Sequence, residues 1–437
     1  MHQGAHGVHP ATGFEGKASQ DDRLLQTRRK IVKPILSLLL SLVLIQSARA
    51  EALVLAAGSI PSDARDNLGD TVGGLGSGIA HDPETGLFFC IPDRGAGDGT
   101  IDFRPRYIKV RLDLEGDDLN PQVVESVLFR DEQGREMSGL IPDDPKSEIP
   151  KLKDGRTCLD PEAIATAPDG TLYVTDEYGP LLYQFARDGK MIQRIELPEM
   201  FRPRRADGQV DFTNTDKLVH GRAVNQGPEG MCLLPDGKSV VLIFQSGLMQ
   251  EGASKSPTTN LLILDLETGK PTALYAYPFS KVVPETNEPQ DLDKVSVNDL
   301  AALSQTRLLV LERDNRGRNG SLDYPAARNK AVWIADLSMA TNILDHGSAA
   351  TARPVAKTLL FNLPSIVPDP KRLAAKWEGI VIVPPLHPSM VTVVMTADND
   401  FLTPILHIGG KEVPFPRAQD SVESQFFKIR ASLPEKP

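Results

Sequence analysis

The chain has 437 residues, of which 40% are hydrophobic and only 5% aromatic, with 35 glycines and 35 prolines. That composition suits a soluble protein built from many short elements and many turns. The net charge is −10, and because residues 1–50 hold seven Lys/Arg against three acids, residues 51–437 carry −14. This balance argues against a nucleic-acid partner, which needs a basic face; it is compatible with a cation-binding role, while an acidic surface that serves solubility is the plainer reading.

At the N-terminus, the basic stretch Arg28-Arg29-Lys30 precedes an apolar run at 35–45 and then Ala48-Arg49-Ala50, whose small residues fit a signal-peptidase site. Residues 1–50 therefore read as a cleaved export signal and 51–437 as one exported domain, periplasmic or extracellular. Residues 27–33 resemble a twin-arginine signal, while the apolar run suits the general secretory route equally. Its 11 residues fall short of the ~20 needed to cross a bilayer, so no stable membrane span is expected after cleavage. The three cysteines, Cys90, Cys158 and Cys232, match no zinc spacing, and Cys90 and Cys232 lie in apolar strand candidates as buried small hydrophobes. The oligomeric state is left open.

From residue 51 onward one unit recurs five times: a short strand candidate, a turn, and a second strand that ends in polar residues. The first copy is 76–80, a turn at 83–86, and 87–92 running into Asp93-Arg94-Gly95. The second is 162–166, Pro168-Asp169-Gly170, and 171–175 running into Asp176-Glu177. The third is 227–231, Pro235-Asp236-Gly237, and 239–244 running into Gln245-Ser246-Gly247. The fourth is 297–301, a turn at 304–306, and 308–311 running into Glu312-Arg313-Asp314. The fifth is 376–380, a longer turn at 384–388, and 391–396 running into Asp398-Asn399-Asp400. β-branched and aromatic runs bounded by turn residues mark strands, and their recurrence marks a repeat architecture. Anchored on Ser77, Glu162, Glu229, Asp299 and Glu378, the copies stand 85, 67, 70 and 79 residues apart, so insertions fall in loops.

A third strand candidate follows each hairpin, at 106–114, 181–187, 260–266, 330–337 and 425–430, and a fourth follows all but the last, at 122–129, 191–197, 271–277 and 355–363. The chain ends before the fifth copy can supply its fourth strand, and 51–56 has the matching character. The expected fold is thus all-β: a β-propeller of four-stranded antiparallel blades with the N-terminal strand closing the last one. Five blades are counted, and 131–156 and 403–423 leave room for a sixth.

In such blades the start of the first strand, the end of the second and the link to the next blade share one face. That face collects Asp93, Glu162, Asp176, Glu177, Glu229, Asp299, Asp314, Glu378 and Asp398, with Asn298, Glu312 and Asp400 nearby. It also receives the insertions 131–156, 200–226, 281–296 and 314–329. Converging carboxylates repel one another, and a hard cation such as Ca²⁺ offsets that repulsion through six to eight oxygen ligands. Arg94 and Arg313 beside these acids either orient an anionic substrate or form surface ion pairs. Read singly, an acid at a strand end is equally a turn cap. Glu162, Glu229 and Glu378 at one recurring position are not explained that way. The glycines of 73–78 lead into a strand and are expected to permit close backbone packing near the axis. His220, inside 200–226, is the one histidine considered for the site.

The signatures Asp93-Arg94-Gly95, Asp160-Pro161-Glu162-Ala163, Gly227-Pro228-Glu229-Gly230, Glu312-Arg313-Asp314 and Trp377-Glu378-Gly379 resemble those of the phytase-like domain family, labelled "esterase-like activity of phytase". The resemblance covers nearly all of 51–437. It implies an exported propeller that hydrolyses phosphate esters or related anionic esters, with a small anionic ester as substrate. Catalytic roles then fall on Glu162, Glu229, Glu378, Asp93, Arg94 and Arg313, and Ca²⁺ ligation on Asp176, Glu177, Asp299, Asp314 and Asp398. Ser77 and Gln245-Ser246 depart from the acidic pattern and point to a site biased toward some blades. A propeller lactonase or carboxylic-ester hydrolase, and a non-catalytic binding propeller, are the alternatives.

Overall fold

A computed structural model describes residues 52–281, 292, 294–344 and 352–434. The export-signal segment 1–50 and most of the 281–296 insertion lie outside these residues. Five four-stranded antiparallel sheets form the blades of a propeller. The chain enters on β1 (Ala52–Ile60) and then builds blade 1 from β2 (Gly78–His81), β3 (Phe88–Ile91), β4 (Arg106–Arg111) and β5 (Gln122–Leu128). Blade 2 is β6 (Pro161–Thr166), β7 (Leu172–Asp176), β8 (Leu181–Phe185) and β9 (Met191–Glu196). A two-stranded excursion, β10 (Arg204–Arg205) and β11 (Leu218–His220), occupies the next insertion. Blade 3 is β12 (Pro228–Leu233), β13 (Ser239–Phe244), β14 (Thr258–Asp265) and β15 (Pro271–Pro278), and blade 4 is β16 (Ser296–Ala302), β17 (Arg307–Arg313), β18 (Lys330–Asp336) and β19 (Ala356–Asn362).

Blade 5 contains β20 (Lys376–Ile382) and β21 (Met390–Asp398), then detours through a hairpin of β22 (Ile405–Ile408) and β23 (Lys411–Pro414) before β24 (Ser424–Ser432). Its fourth strand is β1, which pairs antiparallel with β24 from Ala52–Ala431 to Ile60–Ser424. The first and last strands of the described residues thus close the ring by backbone hydrogen bonds, as the displaced strand at 51–56 implied. The two segments with room for a sixth blade hold only isolated bridges and the β22–β23 hairpin, so the propeller has five blades.

Each first strand packs on that of the next blade in the closed cycle β2, β6, β12, β16, β20. Five hydrophobic clusters fill the gaps between neighbouring blades. In β13, Val240, Leu242 and Phe244 pack toward blade 2, while Val241 and Ile243 pack toward blade 4. Alternate residues of one strand therefore serve two cores, which is why the second strands read as unbroken apolar runs. Glycine permits the tight ring at the axis: a Cβ on Gly76 would lie 2.1 Å from the Ala397 carbonyl carbon, and one on Gly230 would lie 2.6 Å from Asp299 Cα. All three cysteines are buried and free. Among the described residues no helix is long and apolar enough to cross a membrane.

Candidate functional site

The first strands share a defect with a purpose. In blades 2 to 5 the pairing of first and second strand slips at one place: after Pro161, after Pro228, between Val297 and Asp299, and between Trp377 and Gly379. The residues left over by these bulges include Glu162, Glu229, Asn298 and Glu378. A bulge re-aims the side chain of the extra residue, and here it does so at the axis in four blades. The register corrects one expectation: in blade 4 the residue equivalent to the repeated glutamate is Asn298, not Asp299. Asp299 is ordinarily paired with Leu311, and its carboxylate accepts backbone N–H groups from Leu300 (2.8 Å), Met231 (3.4 Å) and Ile380 (2.9 Å). It ties three consecutive first strands together instead of facing the axis.

One residue past each bulge partner on the second strand stand Glu177, Gln245, Arg313 and Asp398, with Asp93 in the corresponding place in blade 1. These residues meet the first-strand set. Glu229 Oε1 accepts from Asn298 Nδ2 (3.1 Å) and from Gln245 Nε2, while its Oε2 is buried without a partner. Arg313 Nη2 lies 2.5 Å from Glu378 Oε1, both side chains buried. Arg94, 4% exposed, donates to Asp160 and to Asn225 Oδ1 and lies 3.4 Å from Glu177 Oε2. Neither arginine forms a surface pair, because each is committed to a buried carboxylate. Glu177 Oε1 also accepts the Gly227 N–H at 2.6 Å. Glu162 makes no hydrogen bond to the described residues through its carboxylate.

Two carboxylate triads result. The oxygens of Asp160, Glu162 and Glu177 lie within 4.8 Å of one another, and so do those of Asp93, Asp398 and Asp400. Lys376 pairs with Asp400 in the second triad. Burial and then mutual repulsion raise the affinity of this cluster for protons. The Glu162 carboxyl is pushed well above its usual value by burial and by Glu229, and Glu229 by burial and by Glu177. Asp398 rises well above the usual range through burial and Asp400, and Asp93 is pushed up to about 7, chiefly by burial. Glu378 goes the other way. Burial opposes its charge, but Arg313 and Lys376 hold its carboxyl below the ordinary value.

Two further expected ligands are fully used elsewhere. Asp176 accepts the N–H groups of Asp160 (3.0 Å), Tyr178 (3.1 Å) and Gly179 (3.2 Å), shaping the chain leaving β7. Asp314 accepts from Lys330 Nζ (2.6 Å) and from the N–H groups of Asn329 and Arg328. His220 sits in β11, paired with Arg204. Asp160 and Lys376 are participants the motifs did not single out. Each lies two residues before a repeated glutamate, and strand alternation is the signal that would have found them. Asn225, in the left-handed region at φ 53°, was not legible, since it reaches Arg94 only through the 200–226 insertion.

A family model described as "Phytase-like: Esterase-like activity of phytase" matches residues 70–401. An "Uncharacterized secreted protein" of Arthroderma benhamiae is 26% identical over 442 residues, covering 79% of this chain and 86% of that one. Among solved structures, the tail fiber of Staphylococcus aureus phage P68 aligns at 13% identity and TM-score 0.36 over 89% of this chain and 54% of its own. The β-propeller domain of Myceliophteria thermophila Cps50 (Swd1) aligns at 11% identity and TM-score 0.32 over 82% and 97%. The fold assignment rests on the chain's own strand pairing, not on these likenesses.

Proposed function

The chain belongs to the phytase-like family, and from that premise we propose that it is an exported, cation-dependent hydrolase of phosphate esters, with its reaction centre on the axial face. One observation carries the reading. Asp93, Asp160, Glu162, Glu177, Glu229, Glu378, Asp398 and Asp400 converge there against Arg94, Arg313, Lys376 and, beside Glu177 and Asp160, the buried Arg222, an excess of acid among the described residues. A divalent cation offsets such an excess most simply.

Asp160, Glu162 and Glu177 fit as its ligands. One oxygen from each lies within 4.8 Å of the others, close enough for all three to reach one Ca²⁺ with bonds of ~2.4 Å, and Glu162 has no competing hydrogen bond among the described residues. A bound cation supplies polarisation of a phosphoryl oxygen and a more acidic water. The chain supplies the rest. Glu229, held in place through Oε1 by Asn298 and Gln245, keeps Oε2 free to take a proton from the attacking water. Arg94 and Arg313 each retain a buried Nε–H without an acceptor, and these serve as donors to charge developing on the phosphoryl group. Ion pairing with Asp160 and Glu378 fixes both guanidinium planes. The Arthroderma relative's description as secreted and the export signal read in residues 1–50 support an exported protein.

The test is hydrolysis of phosphomonoester and phosphodiester panels with Ca²⁺ and then with chelator. Turnover lost on chelation, and reduced about 10²–10⁴-fold by Glu229→Gln, is the expected result. Absence of turnover on every phosphoester with Ca²⁺ present overturns the proposal. A second reading, hydrolysis of a lactone or neutral carboxylic ester, is favoured by the commitment of both guanidinium groups to carboxylates. A lactone panel under the same conditions separates the two.

A further inference from the structure

The 200–226 insertion ends against the first carboxylate triad. Between residues 222 and 227 the chain delivers three groups there. Arg222, fully buried, donates to the Tyr178 carbonyl from Nε (3.3 Å) and Nη2 (3.0 Å), Asn225 Oδ1 accepts from Arg94 Nη2, and the Gly227 N–H meets Glu177 Oε1 at 2.6 Å. We infer that Asn225 is a positioning residue for Arg94: it holds the guanidinium group against Asp160 and off Glu177, which leaves Glu177 Oε2 open to a cation. The inference rests on the hydrolase reading for its consequence in turnover, and on geometry alone for the placement of Arg94.

An amide and a carboxylate compete here for one guanidinium group. Arg94 Nη1 donates to Asp160 and also lies 3.4 Å from Glu177 Oε2. A guanidinium prefers a carboxylate, which offers a full opposite charge and two parallel acceptors, to a single amide oxygen. Without Asn225, Nη2 loses its acceptor, and Glu177 is the carboxylate already within reach. The group then turns onto Glu177 and closes a two-point pair on an oxygen that the triad offers to a cation. Asn225 prevents this by engaging Nη2, and because its amide is neutral it adds no fourth charge to Asp160, Glu162 and Glu177.

The amide keeps that place because the chain is fixed on both sides of it. Asn225 has φ 53°, a left-handed conformation that asparagine tolerates better than most residues. After it, Gln226 Oε1 accepts the Ser246 hydroxyl (2.7 Å), and the Gln226 N–H reaches the Ala223 carbonyl (3.3 Å). Before it, Arg222 Nη1 donates to the same Ala223 carbonyl (3.2 Å), and the Arg222 N–H to the Phe201 carbonyl (2.9 Å). Glycine at 227 lets the chain pass close to the triad, since a Cβ there would lie 2.7 Å from Glu177 Cγ. Asn225 itself is exposed, so its side chain can be changed without opening the core.

The test reads Arg94 and the cation separately. Crystal structures of the cation-free variants are expected to show Arg94 paired with Glu177 in Asn225→Gly, which keeps the left-handed backbone, and still bonded to the side chain at 225 in Asn225→Asp, which keeps the acceptor. By calorimetry, Asn225→Gly is expected to lower Ca²⁺ affinity at least about tenfold, the size of effect that partners behind metal ligands have, and Asn225→Asp not to lower it. In an Arg94→Met background the same Asn225→Gly change is expected to alter Ca²⁺ affinity less than about twofold, whereas a merely structural role lowers it in both backgrounds. If the wild type neither binds Ca²⁺ nor turns over any ester, yet Arg94 moves onto Glu177 in Asn225→Gly, the hydrolase reading fails and the positioning role stands. Arg94 unmoved in Asn225→Gly, or an equal loss of Ca²⁺ affinity in both backgrounds, overturns it.

Discussion

Carboxylates stand at both ends of the blades, and the two ends treat them differently. At the hairpin end, Asp82 meets Arg187 Nη1 at 2.8 Å and Nη2 at 2.9 Å, Asp169 accepts from the N–H and hydroxyl of Thr171, and Asp265 accepts from the N–H and hydroxyl of Thr268. These partners hold all three carboxyls below the ordinary value, Asp82 at about 2 chiefly through Arg187. At the axial end, Glu162, Glu229 and Asp398 are pushed well above it by burial and by one another. The strands are the same, and the difference is where the donors come from. Asp169 and Asp265 find their donors two or three residues away, and Asp82 finds an arginine on the neighbouring blade. An axial carboxylate meets the contributions of four other blades, most of them acids.

The largest effect that would sharpen this contrast is expected from the cations that the axis does have. Arg313→Ala leaves Glu378 buried without its partner and should cost about 3–5 kcal/mol in urea unfolding. A cost below about 1 kcal/mol would mean that the axial acids are not starved of positive charge.

Next come the axial acids themselves. Glu162→Gln should raise the stability of the cation-free protein by about 1 kcal/mol while lowering Ca²⁺ affinity at least about tenfold by calorimetry. At the hairpin end the same isosteric change carries the opposite sign. Asp82→Asn should destabilise by about 1–2 kcal/mol, and a double-mutant cycle with Arg187→Ala should recover most of that as coupling. Equal signs for the two substitutions would break the comparison.

The pH dependence should separate the ends as well. Asp82 has a folded value of about 2, below its unfolded one, so its stabilisation is present above about pH 4 and is lost as pH falls through about 2. Asp93 has a folded value of about 7, above its unfolded one, so the folded state binds the extra proton between about pH 4 and 7. Its contribution is greatest at low pH and is lost as pH rises through about 7. Melting temperatures across pH 2–8 of the cation-free protein should show both limbs. The smallest effect is expected at an exposed turn, where Asp169→Asn should cost no more than about 1 kcal/mol because the amide oxygen still accepts from Thr171.

Much of this fold is legible in the sequence. The five hairpins, the order of strands within each blade and the return of the N-terminal strand to the last blade rest on local signals: apolar runs of strand length and Pro-Asp-Gly turns. The glycines of 73–78 read correctly as close-packing residues, as Gly73 against Phe401 and Gly76 against Ala397 make plain. In blade 4 the repeat anchors on Asp299, with Asn298 beside it, and the bulge makes Asn298 the equivalent of the repeated glutamate. Asp160 looks like the turn before a Pro-initiated strand, and it joins the axial carboxylates only through its contact with Arg94, 66 residues earlier.

The sequence by itself determined that the chain is a ring of repeated antiparallel sheets and that acids gather on one face, because strand period, turn chemistry and recurrence are properties of short segments. Which acids face the axis, and which are consumed as caps or as stitches between blades, was decided only by tertiary structure. A bulge shifts every later side chain by one position, and a donor from a neighbouring blade has no fixed distance along the chain. Asp176, Asp299 and Asp314 look like Glu162 and Glu229 in the sequence, and only the folded structure assigns donors within their own blades to Asp176 and Asp314, donors on two neighbouring blades to Asp299, and leaves Glu229 Oε2 buried without one.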